Sequence, residues 1–194
     1  MRRIFVIRHG NTFTSGEEPR RIGSRTDIPL VESGRAQAER LGGWFAGEGI
    51  RIGRMLSSPL LRARETAQAI ATATGHAPDG ARDWLGEIDH GPDEGRSEAE
   101  VTARIGAPAL ALWEEQGVAP DGWIVDAEAR LAAWRAVFAE QREGVDLLVT
   151  SNGAARFALL ALGLPPRKLR TGAFGEFIVE ADGAVRLVRW DERP

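Results

Sequence analysis

Ile4-Phe5-Val6-Ile7 is an unbroken β-branched and aromatic run closed by Arg8, the pattern of a strand buried on both faces. Arg54-Met55-Leu56-Ser57 and the stretch Val145 to Thr150 read as further short strands. Between them the spacing turns helical, predicting helices over 34–47, 59–73 and 128–142. In the last of these, Leu131, Trp134 and Phe138 fall at i, i+3 and i+7, one apolar stripe for a sheet to cover, and Gly144 supplies a stop. A more apolar helix over 154–162 ends at Gly163 and Pro165-Pro166. Phe174 to Glu180 and Val185 to Trp190 alternate around Asp182-Gly183, as a hairpin does. Strands alternating with helices imply an α/β fold, a sheet covered on both faces with an antiparallel edge near the C-terminus. Residues from about 92 to 126 hold glycines, prolines and acids around a helical core and read as a lid or insertion within one domain spanning 1–194.

Composition narrows the chemistry. The 194 residues contain no cysteine, which excludes disulfide frameworks, thiol nucleophiles, zinc fingers and iron–sulfur clusters. With three histidines (His9, His76 and His90) a multi-histidine metal site is hard to build. The 43% apolar and 27% charged residues are an ordinary globular mixture, and a net charge of −3 argues against a nucleic-acid partner. Lys168 is the single lysine among the cations, the rest being arginines. The apolar run after Met1-Arg2-Arg3 is too short for a secretory signal, and no stretch approaches the roughly 18 apolar residues of a membrane span. The expectation is a cytoplasmic protein with no membrane partner.

The polar clusters that carry chemistry all follow expected strands: Arg8-His9-Gly10, Ser57-Ser58-Pro59, Leu85-Gly86-Glu87 after a short Arg82–Leu85 stretch, and Thr150-Ser151-Asn152-Gly153. In an open parallel sheet the strand C-termini share one edge, and ligands bind in the crevice there. His9 beside Arg8 suits a histidine nucleophile kept neutral by neighbouring cations, with Gly10 letting backbone amides approach an anion. Ser58 and Pro59 read as N-cap and first residue of a helix. Arg62 in that first turn runs against the helix dipole, which an anion held between Arg8 and Arg62 would explain.

These segments resemble the histidine phosphatase, or phosphoglycerate mutase-like, superfamily. Ile7-Arg8-His9-Gly10-Asn11-Thr12 matches its opening motif; Gly23, Asp27-Ile28-Pro29-Leu30 and Gly34 match its next stretch. Ser57-Ser58-Pro59-Leu60-Leu61-Arg62-Ala63-Arg64-Glu65-Thr66-Ala67 matches its second signature, and the run from Leu85 to Gly95 its third. The resemblance implies a three-layer α/β/α sandwich and a phosphohistidine at His9. It further implies that Arg8 and Arg62 hold the phosphoryl oxygens and that Glu87, its pKa raised by burial, protonates the leaving alcohol. Asp89 is the competing donor. Gly10, Asn11, Ser15, Asn152 and Gly153 complete the expected phosphate site. The expected activity is metal- and cofactor-free hydrolysis of a small phosphorylated metabolite, the alternatives being a silent phosphate-ligand binder and a mutase.

The chain departs from the family pattern where a second histidine normally precedes a glycine; it has Asn152-Gly153. Asn152 donates a hydrogen bond but brings no charge. Arg156, four residues on, is one candidate to supply that charge, and His90 a weaker one. Ser15 and Ile22 also replace commoner polar residues, which argues against a strict mutase. His76 reads as an exposed turn residue, Trp113, Trp123 and Trp134 as packing, and Asp93-Glu94 and Glu114-Glu115 as solvated faces.

Overall fold

The computed structural model describes residues 1–194. Strands β1 (Arg2–Arg8), β2 (Arg54–Ser57), β3 (Gly80–Ala81), β4 (Gly144–Thr150), β5 (Phe174–Val179) and β6 (Val185–Glu192) form one sheet in the order β3-β2-β4-β1-β5-β6. The first four are mutually parallel; β5 runs antiparallel to β1, and β6 to β5, giving the expected edge hairpin. Helices α1 (Glu32–Gly47) and α2 (Leu61–Thr74) share one core with one face of the sheet; α5 (Ala127–Ala139) and α6 (Asn152–Leu160) share a second core with the other. The three-layer α/β/α architecture is therefore present.

Strand β1 shows why. Phe5 and Ile7 enter the core with Leu41, Phe45 and Ile70, while Ile4 and Val6 enter the core with Trp134, Phe138 and Phe157. All four β1 side chains are fully buried, each contributing about 1.5–3 kcal/mol of transfer free energy. At the N-terminal edge of the strands, away from the site, Asp146 is fully buried and accepts from Arg2 Nε at 2.7 Å and Arg54 Nη2 at 3.0 Å.

Several local expectations change. Helix α2 starts at Leu61, and Ser58 does not cap it: Ser58 Oγ accepts only from Leu60 N–H, while Asp27 Oδ1, distant in sequence, accepts from Leu61 N–H at 2.6 Å. The Arg82–Leu85 stretch is not a strand, since β3 ends at Ala81 and Asp83–Leu85 forms a 3₁₀ turn. Segment 92–126 carries two short helices, α3 (Glu98–Ile105) and α4 (Ala107–Gln116). Asp93 there is buried, not solvated: it pairs with Arg104 and accepts from Trp123 Nε1 at 2.7 Å.

Candidate active site

Residues Arg8 and Thr150 are register partners at the C-terminal ends of β1 and β4, and His9 N–H donates to Thr150 O at 3.1 Å. His9, the first residue after β1, and Asn152, the second after β4, therefore leave the same edge of the sheet. They open onto a cavity of about 610 Å³, whose wall also includes Arg8, Asn11, Ser15, Glu87 and His90. Its outer wall adds Arg20, Arg21, Ile22 and Glu98. Three of the four expected clusters thus converge, as the sheet-edge argument expects, while Ser57-Ser58-Pro59 does not line this cavity.

His9 is 3% exposed, and its Nδ1 lies 2.7 Å from Gly10 O. A carbonyl only accepts, so Nδ1 carries the hydrogen and Nε2 keeps its lone pair. Burial, then Arg8, then Arg62 push the ring's pKa well below its ordinary value. The ring is neutral and held in one orientation, with Nε2 unprotonated.

Arg8 lines the cavity with Nη1 anchored on Leu169 O at 2.9 Å and Nε buried without a partner. Burial lowers its pKa to about 10, with Glu87 opposing and Arg62 reinforcing the shift; it remains a cation at neutral pH. Arg62 is fully buried behind the cavity wall. Its Nη1 donates to Thr26 O at 2.6 Å and Nη2 to Gly23 O at 3.2 Å, leaving Nε unpartnered. Backbone carbonyls thus answer the helix-dipole puzzle in the absence of an anion, and Arg62 is a fixed charge behind His9.

The sequence matches the model of the histidine phosphatase superfamily (branch 1) over residues 4–192. The chain belongs to this superfamily. A 2,3-bisphosphoglycerate-dependent phosphoglycerate mutase of Azorhizobium caulinodans is 26% identical over 95% of each chain. The VO3 complex of a mycobacterial glucosyl-3-phosphoglycerate phosphatase is 25% identical with a TM-score of 0.80, covering 98% of this chain and 99% of that one. A phosphoserine phosphatase from Entamoeba histolytica shares the fold at 22% identity, TM-score 0.81, over 99% and 98% of the two chains.

Against this histidine phosphatase frame, three expected phosphate contacts lie elsewhere. Gly10 does not open its amide to the cavity: its N–H donates to Thr66 Oγ1 at 3.2 Å, and a Cβ there would sit 2.2 Å from Gly34 O. Its smallness serves close packing of the His9 loop on α1. The Gly153 amide donates to Glu87 Oε2 at 3.1 Å, and a Cβ on it would lie 2.2 Å from Glu87 Oε1. Gly153 therefore makes room for the carboxylate. Arg156 is turned towards α4, with Nη1 on Trp113 O at 2.6 Å, Nη2 on Glu114 at 3.3 Å and its guanidinium stacked 4.1 Å over the Trp113 ring. It is no part of the cavity wall, because the apolar side of α4 and a carboxylate claim it first.

Asn152 Oδ1 accepts from Leu169 N–H at 2.9 Å, which fixes the amide's orientation and leaves its NH₂ as the free donor. Asn11 is held by Thr171 Oγ1 at 2.5 Å and Ser33 Oγ at 3.2 Å, while Ser15 is exposed on the rim. Glu87 is buried with Oε1 accepting from Ile88 N–H at 2.9 Å. Burial alone would push its carboxyl up. Against that stand the His90 ring, the Ile88 and Gly153 amides and Arg62, which together hold it below the usual carboxylate range. The expectation of a burial-raised Glu87 is thus reversed. Asp89 is tied to Gly91 N–H at 2.7 Å and Arg25 at 3.1 Å and does not line this cavity.

Arg130 was not among the expected site residues. Buried on α5, it donates to Val125 O, Trp84 O and Gly86 O at 2.8, 3.0 and 2.7 Å, pinning the loop that carries Glu87. Its signal in the sequence is a cation four residues before Trp134, on the apolar stripe itself.

Proposed function

We propose that the protein hydrolyses phosphomonoesters of small, polar metabolites through a phosphohistidine formed at His9 Nε2. The observation that carries this reading is the buried, single-tautomer His9 ring lining one cavity with Arg8. Nε2 attacks phosphorus, the ester P–O bond breaks, and the leaving alcohol takes a proton. Water then attacks the phosphohistidine, the P–N bond breaks and inorganic phosphate leaves. Charge on the equatorial oxygens is what the site must stabilise, and Arg8, backed by Arg62, supplies it. Parking the phosphoryl group on His9 divides one hard step into two easier ones.

Relatives named as mutases and fold neighbours named as phosphatases both use phosphorylated substrates. Hydrolysis is favoured here because the cavity is open enough for water and Ile22 adds an apolar patch instead of another donor. A second reading, phosphate-ligand binding without turnover, draws on Asn152, whose neutral amide stands where the family pattern has a histidine. A p-nitrophenyl phosphate assay without added metal separates the two, with His9→Ala as control. Turnover together with an acid-labile, base-stable phosphoryl label present on wild type and absent from His9→Ala is expected. Phosphate binding with no turnover and no label would favour the silent binder.

A further inference from the structure

Arg8, His9, Asn11 and Asn152, all in the cavity wall, bond to one short segment that lies between α6 and β5. Leu169 O accepts from Arg8 Nη1 at 2.9 Å, and Leu169 N–H donates to Asn152 Oδ1 at 2.9 Å. Thr171 Oγ1 donates to Asn11 Oδ1 at 2.5 Å. Gly172 N–H is shared between Arg8 O at 3.2 Å and His9 O at 3.1 Å. Segment 169–172 therefore fixes the Arg8 guanidinium, the Asn152 amide and the backbone beside the His9 ring.

The end of β6 holds that segment from its other side. Between the pairs Phe174–Glu192 and Glu176–Arg189, β6 carries Trp190 and Asp191 against the single Gly175 of β5, a β-bulge. A Cβ on Gly175 would lie 2.2 Å from the Trp190 ring, so glycine makes room for an indole whose Nε1 donates to Lys168 O at 3.1 Å. Asp191 has a φ of 66°, the left-handed region that aspartate enters more readily than most residues. In that conformation Oδ1 accepts from Arg170 N–H at 2.7 Å, Oδ2 from Arg170 Nε at 2.5 Å, and Asp191 O from Arg170 Nη2 at 2.9 Å. Arg193 Nε adds a bond to Thr171 O at 3.2 Å.

We propose that Asp191 is a positioning residue of the active site: by clamping Arg170 at the β6 bulge it sets the peptide on which Arg8 is oriented. This deepens the phosphomonoester reading and rests on it for the role of Arg8. The coupling is direct, because Leu169 C=O and Arg170 N–H belong to one planar peptide unit. One end of that unit accepts from Arg8 and the other donates to Asp191, so neither bond shifts without the other. A carboxylate on the N–H also polarises the carbonyl, which strengthens it as an acceptor for the cation. Arg8 feels this strand end electrostatically as well: after burial, Glu87 and Arg62, Arg193 lowers its pKa and Asp191 raises it.

Asp191→Gly removes the carboxylate and takes up the left-handed backbone without strain. It is compared with wild type by p-nitrophenyl phosphate kinetics and by hydrogen exchange of the Leu169 and Gly172 amides, below the thermal transition of both. A misplacement of about 1 Å in a group that holds the reacting centre can cost 10²-fold, so kcat/KM is expected to fall about 10-fold or more, with kcat lowered as well as KM raised. Both amides are expected to exchange faster. Asp191→Asn keeps an acceptor for Arg170 N–H and is expected to recover part of the loss. Arg170→Ala, which keeps the peptide bond to Asp191 but loses both side-chain bonds, shifts activity and exchange in the same direction by less, and carries the test if Asp191→Gly does not fold. Asp79→Ala takes a carboxylate from the Met55 amide near the opposite edge of the sheet; it should lower Tm and leave kcat unchanged. Lower stability in Asp191→Gly with kcat, KM and both exchange rates at wild-type values overturns the proposal. If wild type turns over no phosphomonoester, the hydrolase reading fails, while exchange at Leu169 and Gly172 still decides whether Asp191 holds the segment.

Discussion

Replacing Glu87 by glutamine keeps the shape of the side chain and changes the sign of one hydrogen-bonding atom. In the native protein Oε1 and Oε2 accept from Ile88 N–H at 2.9 Å and Gly153 N–H at 3.1 Å. A glutamine has one acceptor oxygen, so its NH₂ must face the other N–H, donor against donor, in a site 7% exposed. A lost charge-assisted bond costs about 1.5–3 kcal/mol, partly offset by no longer burying a carboxylate. A net loss of about 2 kcal/mol at pH 7 is the expected result, seen as a Tm lower by about 4–8 °C for a chain of this size.

The pH dependence of that loss is the sharper check. Glu87 has a folded pKa below its unfolded value of about 4.3, so its contribution is complete above that value. It disappears as pH falls through the folded pKa. Glutamine contributes nothing at any pH, so the gap between the two proteins should close in acid. Denaturant unfolding of both at pH 7 and again near pH 3 measures this directly. Equal stability at pH 7, or a gap that persists unchanged in acid, would refute the claim that the carboxylate is ionised and held by backbone amides.

Two further outcomes are expected. Asp146→Ala removes the buried one of the two carboxylates that Arg2, 1% exposed, and Arg54 share, leaving them the partly exposed Glu140, and should cost about 3 kcal/mol in denaturant unfolding; a loss under about 1 kcal/mol would mean that Glu140 alone satisfies both cations. Gly10→Ala drives a Cβ to 2.2 Å from Gly34 O and should lower stability by about 1–3 kcal/mol. Gly43→Ala, inside α1 with nothing within 4 Å of the new Cβ, should instead raise stability by up to about 1 kcal/mol. Similar thermal shifts in the two variants would rule out the close-packing account of Gly10.

The sequence made the sheet legible because β1 and β4 are uninterrupted apolar runs and such runs have few other places to go. It also exposed the rim of the site, since polar residues directly after those runs must emerge at the shared edge. His9, Arg8, Glu87 and Asn152 were found that way, and all four line one cavity. Helix starts were less legible: Asp27, not Ser58, satisfies the first amide of α2, and no local pattern reveals a cap contributed from 34 residues away. Arg156 shows the same limit, as its spacing from Asn152 fits a shared helical face, but Trp113 and Glu114 from α4 determine where the guanidinium goes.

Residue order alone settled the α/β class and the antiparallel edge and pointed to His9 as a site residue, because each follows from periodicity or from chemistry written in adjacent positions. Tertiary structure alone decided the direction in which the Glu87 pKa moves, the burial of Asp93 and the placement of His90 in the cavity wall. Those outcomes depend on which amides and charges arrive from distant segments, and electrostatics in a buried site is set by neighbours in space rather than in sequence.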